Sequence, residues 1–148
     1  DKVDAISLDL LQMILPRLAN GTAIPLEQDP SEGSYLKPRK PEDGRINWQQ
    51  PCQDIYNAVR ALYSPYPRPY FFYNDIQVYI GRASIPEKVR LLNGEPGQIL
   101  AIEPGNGIVI NTGYGSILIE RLESEGMIET WADQWAQSQQ ISVGDYFT

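Results

Sequence analysis

The sequence contains no histidine in 148 residues. Histidine is the only side chain whose unperturbed pKa lies between pH 5 and 8, and it is the most frequent general acid or base. Its absence excludes Ser–His–Asp and Cys–His catalysis, and any His-ligated metal site, within this chain. Cysteine is nearly missing as well. Cys52 stands alone, so neither an internal disulfide nor a four-ligand cysteine zinc site can form. A reducing, cytoplasmic setting is the simplest expectation. No apolar run approaches the ~20 residues of a membrane helix, no charged-then-apolar signal opens the chain, and there is no repeat or low-complexity tract. The chain opens on Asp1 rather than methionine, so we expect sequence upstream of it.

The net charge of −7 is unevenly spread. Residues 1–34 carry two basic and six acidic side chains (−4), residues 35–68 six and three (+3), and residues 69–148 four and ten (−6). Affinity for nucleic acid comes largely from cations that neutralise phosphates. This balance opposes a dedicated nucleic-acid binder and leaves one basic segment as a local patch.

Periodicity separates a helical front from a strand-rich rear. Ile6, Leu10, Leu11, Ile14, Leu15 and Leu18 recur at three- and four-residue spacing, which predicts a helix over 4–20 with one apolar stripe. Pro16 should kink its last turn, and Asn20-Gly21 should stop it. Residues 21–47 hold Pro25, Pro30, Pro38 and Pro41 with several charges and read as a tether. Ala23–Leu26 is at most a short strand, and Leu36–Gly44 an extended linker. Residues 51–62 read as a helix with Pro51 at its first position and Ile55, Val59 and Leu62 facing inward. Tyr63-Ser64-Pro65-Tyr66-Pro67 ends it.

From Tyr70 onward the pattern is that of strands: 70–73, 77–85, 98–103, 107–112 and 116–122, separated by Asn74-Asp75, Asn93–Gly97, Pro104–Gly107 and Gly113-Tyr114-Gly115. Short strands at this spacing suggest a small antiparallel barrel. Residues 130–138 predict a short helix with Thr130 as N-cap, and Val143–Phe147 a last strand or turn.

Few motifs suggest chemistry. The glycines at 105, 107, 113 and 115 lack the Gly-Lys-Ser/Thr ending or strand–turn–helix setting of phosphate loops and read as hairpin turns. Glu120, Glu123 and Glu125 cluster near a strand end, and alternation places Glu123 and Glu125 on one face, which we expect to be solvated. Tyr63, Tyr66, Tyr70, Phe71, Phe72 and Tyr73, with Arg60 and Arg68 among them, could stack bases or fill a core. Lys37, Arg39, Lys40 and Arg45 on the tether are the best candidates for meeting an anionic substrate.

Leu15-Pro16-Arg17-Leu18-Ala19-Asn20-Gly21-Thr22, then Ile24–Asp29, then the run Tyr35-Leu36-Lys37-Pro38-Arg39-Lys40-Pro41-Glu42-Asp43-Gly44-Arg45-Ile46-Asn47-Trp48 resemble methionyl-tRNA formyltransferase and its relatives. Tyr56–Leu62, Tyr70-Phe71-Phe72, Gly94–Leu100 and Gly113-Tyr114-Gly115 continue the resemblance in order. It implies an α+β, mainly β architecture: one long helix, an extended linker, and an open Greek-key barrel like an oligonucleotide-binding fold. It implies that a helix and a strand within residues 1–30 close a Rossmann-like catalytic domain, that 31–47 link, and that 48–148 form the C-terminal barrel. It implies formyl transfer from 10-formyltetrahydrofolate to an amine, with every catalytic residue in the N-terminal domain and no cofactor held by this chain. The expected partners are that catalytic domain and a tRNA or sugar-nucleotide acceptor, met by Lys37, Arg39, Lys40, Arg45, Arg60 and Arg68. Arg68-Pro69 stands where a Gly-Ala pair is common in the family, and residues 69–148 are more acidic than tRNA-acting members, so either acceptor fits. Rival readings are a nucleic-acid-binding barrel and an oligomerisation domain. If nothing covers the stripe on residues 6–18, the isolated chain self-associates, and sedimentation velocity reads this as a concentration-dependent rise in mass.

Overall fold

Isoleucine, valine and leucine at alternate positions need a pleated surface with one dry face. The computed structural model builds that surface, describing residues 2–62, 66–86, 94–124 and 126–148. Tyr63, Ser64 and Pro65 of the helix stop, Asn93 of the turn signal, Glu125 of the acidic cluster and Asp1 lie outside the described residues. The chain divides into two units, residues 1–37 and 38–148.

The first unit holds helix α1, Lys2–Ala19. The Gly21 N–H donates to the Leu18 carbonyl and the Thr22 N–H to that of Arg17, with Gly21 at φ +67°. That is a Schellman stop, which the Asn-Gly pair predicts. The helix runs through Pro16, and none of its residues is buried. Ala23–Leu26 forms no strand, a correction to the expected one: proline at 25 removes a donor that a short strand needs. Asp29 caps a 3₁₀ turn over Pro30–Glu32, and the Ser31 hydroxyl and amide hold its carboxyl below the ordinary range.

The second unit begins with a 3₁₀ turn at Pro41–Gly44 where extended chain was expected. Here the Lys40 N–H donates to the Asp43 carboxylate at 2.8 Å, a local bond that competes with extension. Helix α2 spans Cys52–Ala61 with Pro51 as the residue before it rather than its first. Ile55, Val59 and Leu62 are buried, as periodicity predicts.

The strands are β1 (Tyr70–Tyr73), β2 (Ile76–Ser84), β3 (Ile99–Glu103), β4 (Gly107–Asn111), β5 (Ser116–Ser124) and β6 (Thr130–Trp131). All pair antiparallel in the order β1-β2-β5-β4-β3, with β6 on β5. Three hairpin-joined strands with β2 returning beside β5 make the expected Greek key. Asn74 and Asp75, both at positive φ, form the tight β1–β2 turn that such a pair favours. Helix α3 spans Ala132–Ser138 with Trp131 before it. The expected cap, Thr130, is instead paired to Leu122 in β6, because strand pairing satisfies its backbone before the helix starts.

The order leaves β1 and β3 as edges, and the C-terminal segment lies against both. Thr148 and Phe72 exchange backbone hydrogen bonds, while Asp145 accepts from the Ile99 N–H and Phe147 donates to the Gly97 carbonyl. Phe147 enters the core, stacked on Phe71 with centroids 4.3 Å apart and edge-on to Tyr73, beside Trp135. Gly97, at φ +90°, has no room for a side chain because the Phe147 carbonyl and the Trp48 ring press on it. Phe147→Ala should cost about 3–5 kcal/mol, read as a lower urea midpoint for the full chain.

Candidate functional site

Alternation on the first hairpin sends Phe71 and Val78 into the core and turns Tyr70, Phe72, Gln77 and Tyr79 to the other face. Register then sets these side chains in a row. Tyr70 pairs with Tyr79, and Tyr79 pairs with Glu123 on β5. The Tyr70 ring meets Tyr79 at 6.1 Å and Phe72 at 5.6 Å, both edge-on, the geometry that ring quadrupoles favour.

The segment before α2 runs along this row. Arg45 bridges to Tyr70, and the Ile46 N–H donates to the Tyr70 carbonyl at 2.8 Å. Gly44 lies so close to the Arg68 carbonyl that a Cβ would collide with it. The result is an open cleft of about 640 Å³. Arg39, Pro41 and Glu42 line it from the 3₁₀ turn, Tyr66, Pro67 and Arg68 from the approach to β1, and Tyr70, Gln77 and Tyr79 from the sheet.

Arg68 is held twice. Its guanidinium carbon sits 4.7 Å from the Tyr79 ring centroid, and its Nη2 is 3.0 Å from Glu123 Oε2. The pair is about one-third exposed on each side, so its net energy is small, about 1 kcal/mol or less. Its effect is geometric: a flat guanidinium with its other donors left for a ligand. Among the described residues no carboxylate pairs with Arg39.

Of the six expected site residues, Arg39 and Arg68 share this cleft. Arg45 stacks on Phe72 at 5.3 Å and lines a second depression of about 450 Å³ with Trp48 and Phe147. Arg60 sits on α2 over Tyr56 at 5.4 Å. Lys40 is exposed beside the cleft's 3₁₀ turn, and Lys37 is exposed in the other unit. Sequence reasoning missed Glu42, Gln77 and Tyr79. Alternation around the buried Val78 and Ile80 was the signal available for the last two. Glu120 and Glu123 are not a free acidic pair, because Glu120 binds Arg82 at 2.7 Å and Glu123 binds Arg68. Among the described residues no group of acidic or sulfur ligands is placed to hold a metal ion, and no helix is long and apolar enough to cross a membrane.

The sequence profile described as the formyl transferase C-terminal domain matches residues 39–140. The chain belongs to this family. The match includes the cleft's Arg39 and Arg68 and ends after α3. Among curated relatives, the methionyl-tRNA formyltransferase of Synechococcus sp. strain JA-3-3Ab is 30% identical over 143 residues, covering 94% of this chain and 44% of that protein. That of Citrifermentans bemidjiense is 34% identical over 126 residues, covering 85% and 38%. The chain thus spans less than half the length of these relatives. Among solved structures, HypX from Aquifex aeolicus in complex with tetrahydrofolic acid superposes with a TM-score of 0.66 at 18% identity, covering 96% of this chain and 26% of that one. At that identity the likeness establishes the fold of this formyl transferase C-terminal domain. Gly44→Ala should destabilise it by about 1–3 kcal/mol through overpacking against the Arg68 backbone. Urea unfolding checks the cost, and amide chemical shifts check the predicted displacement of residues 66–70.

Proposed function

We propose that this chain is the non-catalytic, acceptor-side C-terminal domain of an enzyme of methionyl-tRNA formyltransferase type. That enzyme would move a formyl group from 10-formyltetrahydrofolate to an amine. The observation that carries the reading is the cleft itself. It joins Arg39 and Arg68 to tyrosine rings in a family-matched region whose curated relatives are named for a tRNA acceptor. The proposed layout is a closing helix in residues 1–30, a linker over 31–47 and the barrel over 48–148. The apolar stripe of α1 would lie against the N-terminal catalytic domain, which removes it from water at about 25 cal/mol per Å². The setting is proposed to be cytoplasmic.

The chemistry present suits binding rather than transfer. Formyl transfer needs a group that moves a proton near neutral pH. The chain has no histidine, and Glu123 is committed to Arg68. What the cleft can do is hold an anion with guanidinium groups whose fork geometry matches phosphate oxygens. A sugar nucleotide is the second acceptor to consider. The charge of −6 over residues 69–148 favours a ligand that needs no long cationic surface.

In the complete enzyme, Lys37→Ala, Arg39→Ala and Lys40→Ala together should raise the acceptor KM about tenfold with kcat little changed, as for lost uniform binding. Steady-state kinetics with methionyl-tRNA and with an amino-sugar nucleotide would measure this. An acceptor KM that stays the same with both would rule the reading out.

A further inference from the structure

Resting on that acceptor-side reading of the cleft, we infer that it takes one nucleotide unit, a base against Tyr66 and a single phosphate on Arg39 and Arg68, and does not track a run of backbone phosphates. The volume of about 640 Å³ lies within the roughly 300–1,000 Å³ that small-ligand sites occupy. Aromatic faces bind bases of any identity by stacking. One face of Tyr79 is already covered by Arg68, and Tyr70 meets its neighbours edge-on. Tyr66 lines the same cleft and is 57% exposed, so the stacking face falls to it.

The charges set the number of phosphates. Arg39 and Arg68 are offset by Glu42 in the lining and by Glu123 on Arg68. The two carboxylates cancel the two guanidinium charges, so the cleft adds no net positive charge, and what it offers is the free guanidinium donors, enough to hydrogen-bond one phosphate. The cations next along the sheet offer no continuation. Arg82 is paired with Glu120 at 2.7 Å, Arg121 with Glu129 at 3.0 Å, and Arg45 lies on Phe72 in the other depression. Each of these ion pairs is neutral as a whole, so they add no net positive charge for a strand to follow. Counter-ion release therefore involves about one phosphate, and the slope of log affinity against log salt should be about −1 or shallower.

The test titrates the full 148-residue chain with AMP, adenosine and inorganic phosphate, read by calorimetry and amide chemical shifts. AMP should bind at least tenfold more tightly than adenosine or phosphate and move the amides of Tyr70, Gln77 and Tyr79. Tyr66→Ala and Arg39→Ala should each weaken it about tenfold. Arg82→Ala, outside the cleft, should leave it unchanged, and the spectra of all three variants report whether they remain folded. AMP affinity no better than that of phosphate, or shifts elsewhere on the barrel, overturns the inference. A hexanucleotide whose salt slope corresponds to four or more phosphates overturns it as well. A dinucleotide and a uridine diphosphate sugar serve as further arms. Binding of either at the AMP affinity supports the inference and names the source of the unit. Should AMP fail while Arg39→Ala still raises the acceptor KM of the complete enzyme, the one-nucleotide inference falls and the acceptor-side reading stands.

Discussion

The barrel depends on the stack of Phe147 on Phe71. Burying an aromatic ring removes some 150–250 Å² from water, and this ring also closes the sheet. The same segment that carries Phe147 supplies the backbone groups that meet Phe72 on one edge and Gly97–Ile99 on the other. Without it two edges with unpaired donors and acceptors would face solvent, a template for association. The aromatic cluster of Trp48, Phe71, Tyr73, Trp135 and Phe147 ties the segment before α2, the first hairpin, α3 and the C-terminal segment into one dry interior.

The cleft depends on that closure at one remove. With the inward residues of β1 fixed in the core, the outward ones have no freedom to shift register, since a one-residue slip would exchange the two faces. Tyr70 and Tyr79 are thus placed by Phe71 and Val78. Gly44 then sets how near the preceding segment approaches, and Glu123 sets the angle of Arg68. The binding groups are polar and partly exposed, yet their positions follow from apolar contacts on the opposite side of the same strands.

Much of this was legible from residue pattern alone. The helices at 2–19 and 52–61 and the strands from Tyr70 onward follow from periods of 3.6 and 2, and the Greek-key expectation from resemblance holds. What escaped is non-local. Val143–Phe147 is too short and irregular to announce that it joins two sheet edges. Nor can a one-dimensional pattern tell Arg68, which lies on Tyr79 inside the cleft, from Arg60, which lies on Tyr56 outside the lining. Thr130 has the chemistry of a cap and serves in a strand, because pairing with Leu122 overrides a local preference worth about 1 kcal/mol.

Closure by the C-terminal segment also has a consequence for synthesis. Phe72 and Thr148 are separated by 76 residues. At translation rates of about 5–20 residues per second, their pairing waits roughly 4–15 s after Phe72 is made. During that interval the aromatic hairpin is a nascent chain with one bare edge and an unfilled aromatic socket. The ribosome and its chaperones meet this domain in its stickiest form, and a stall between residues 73 and 147 would prolong it.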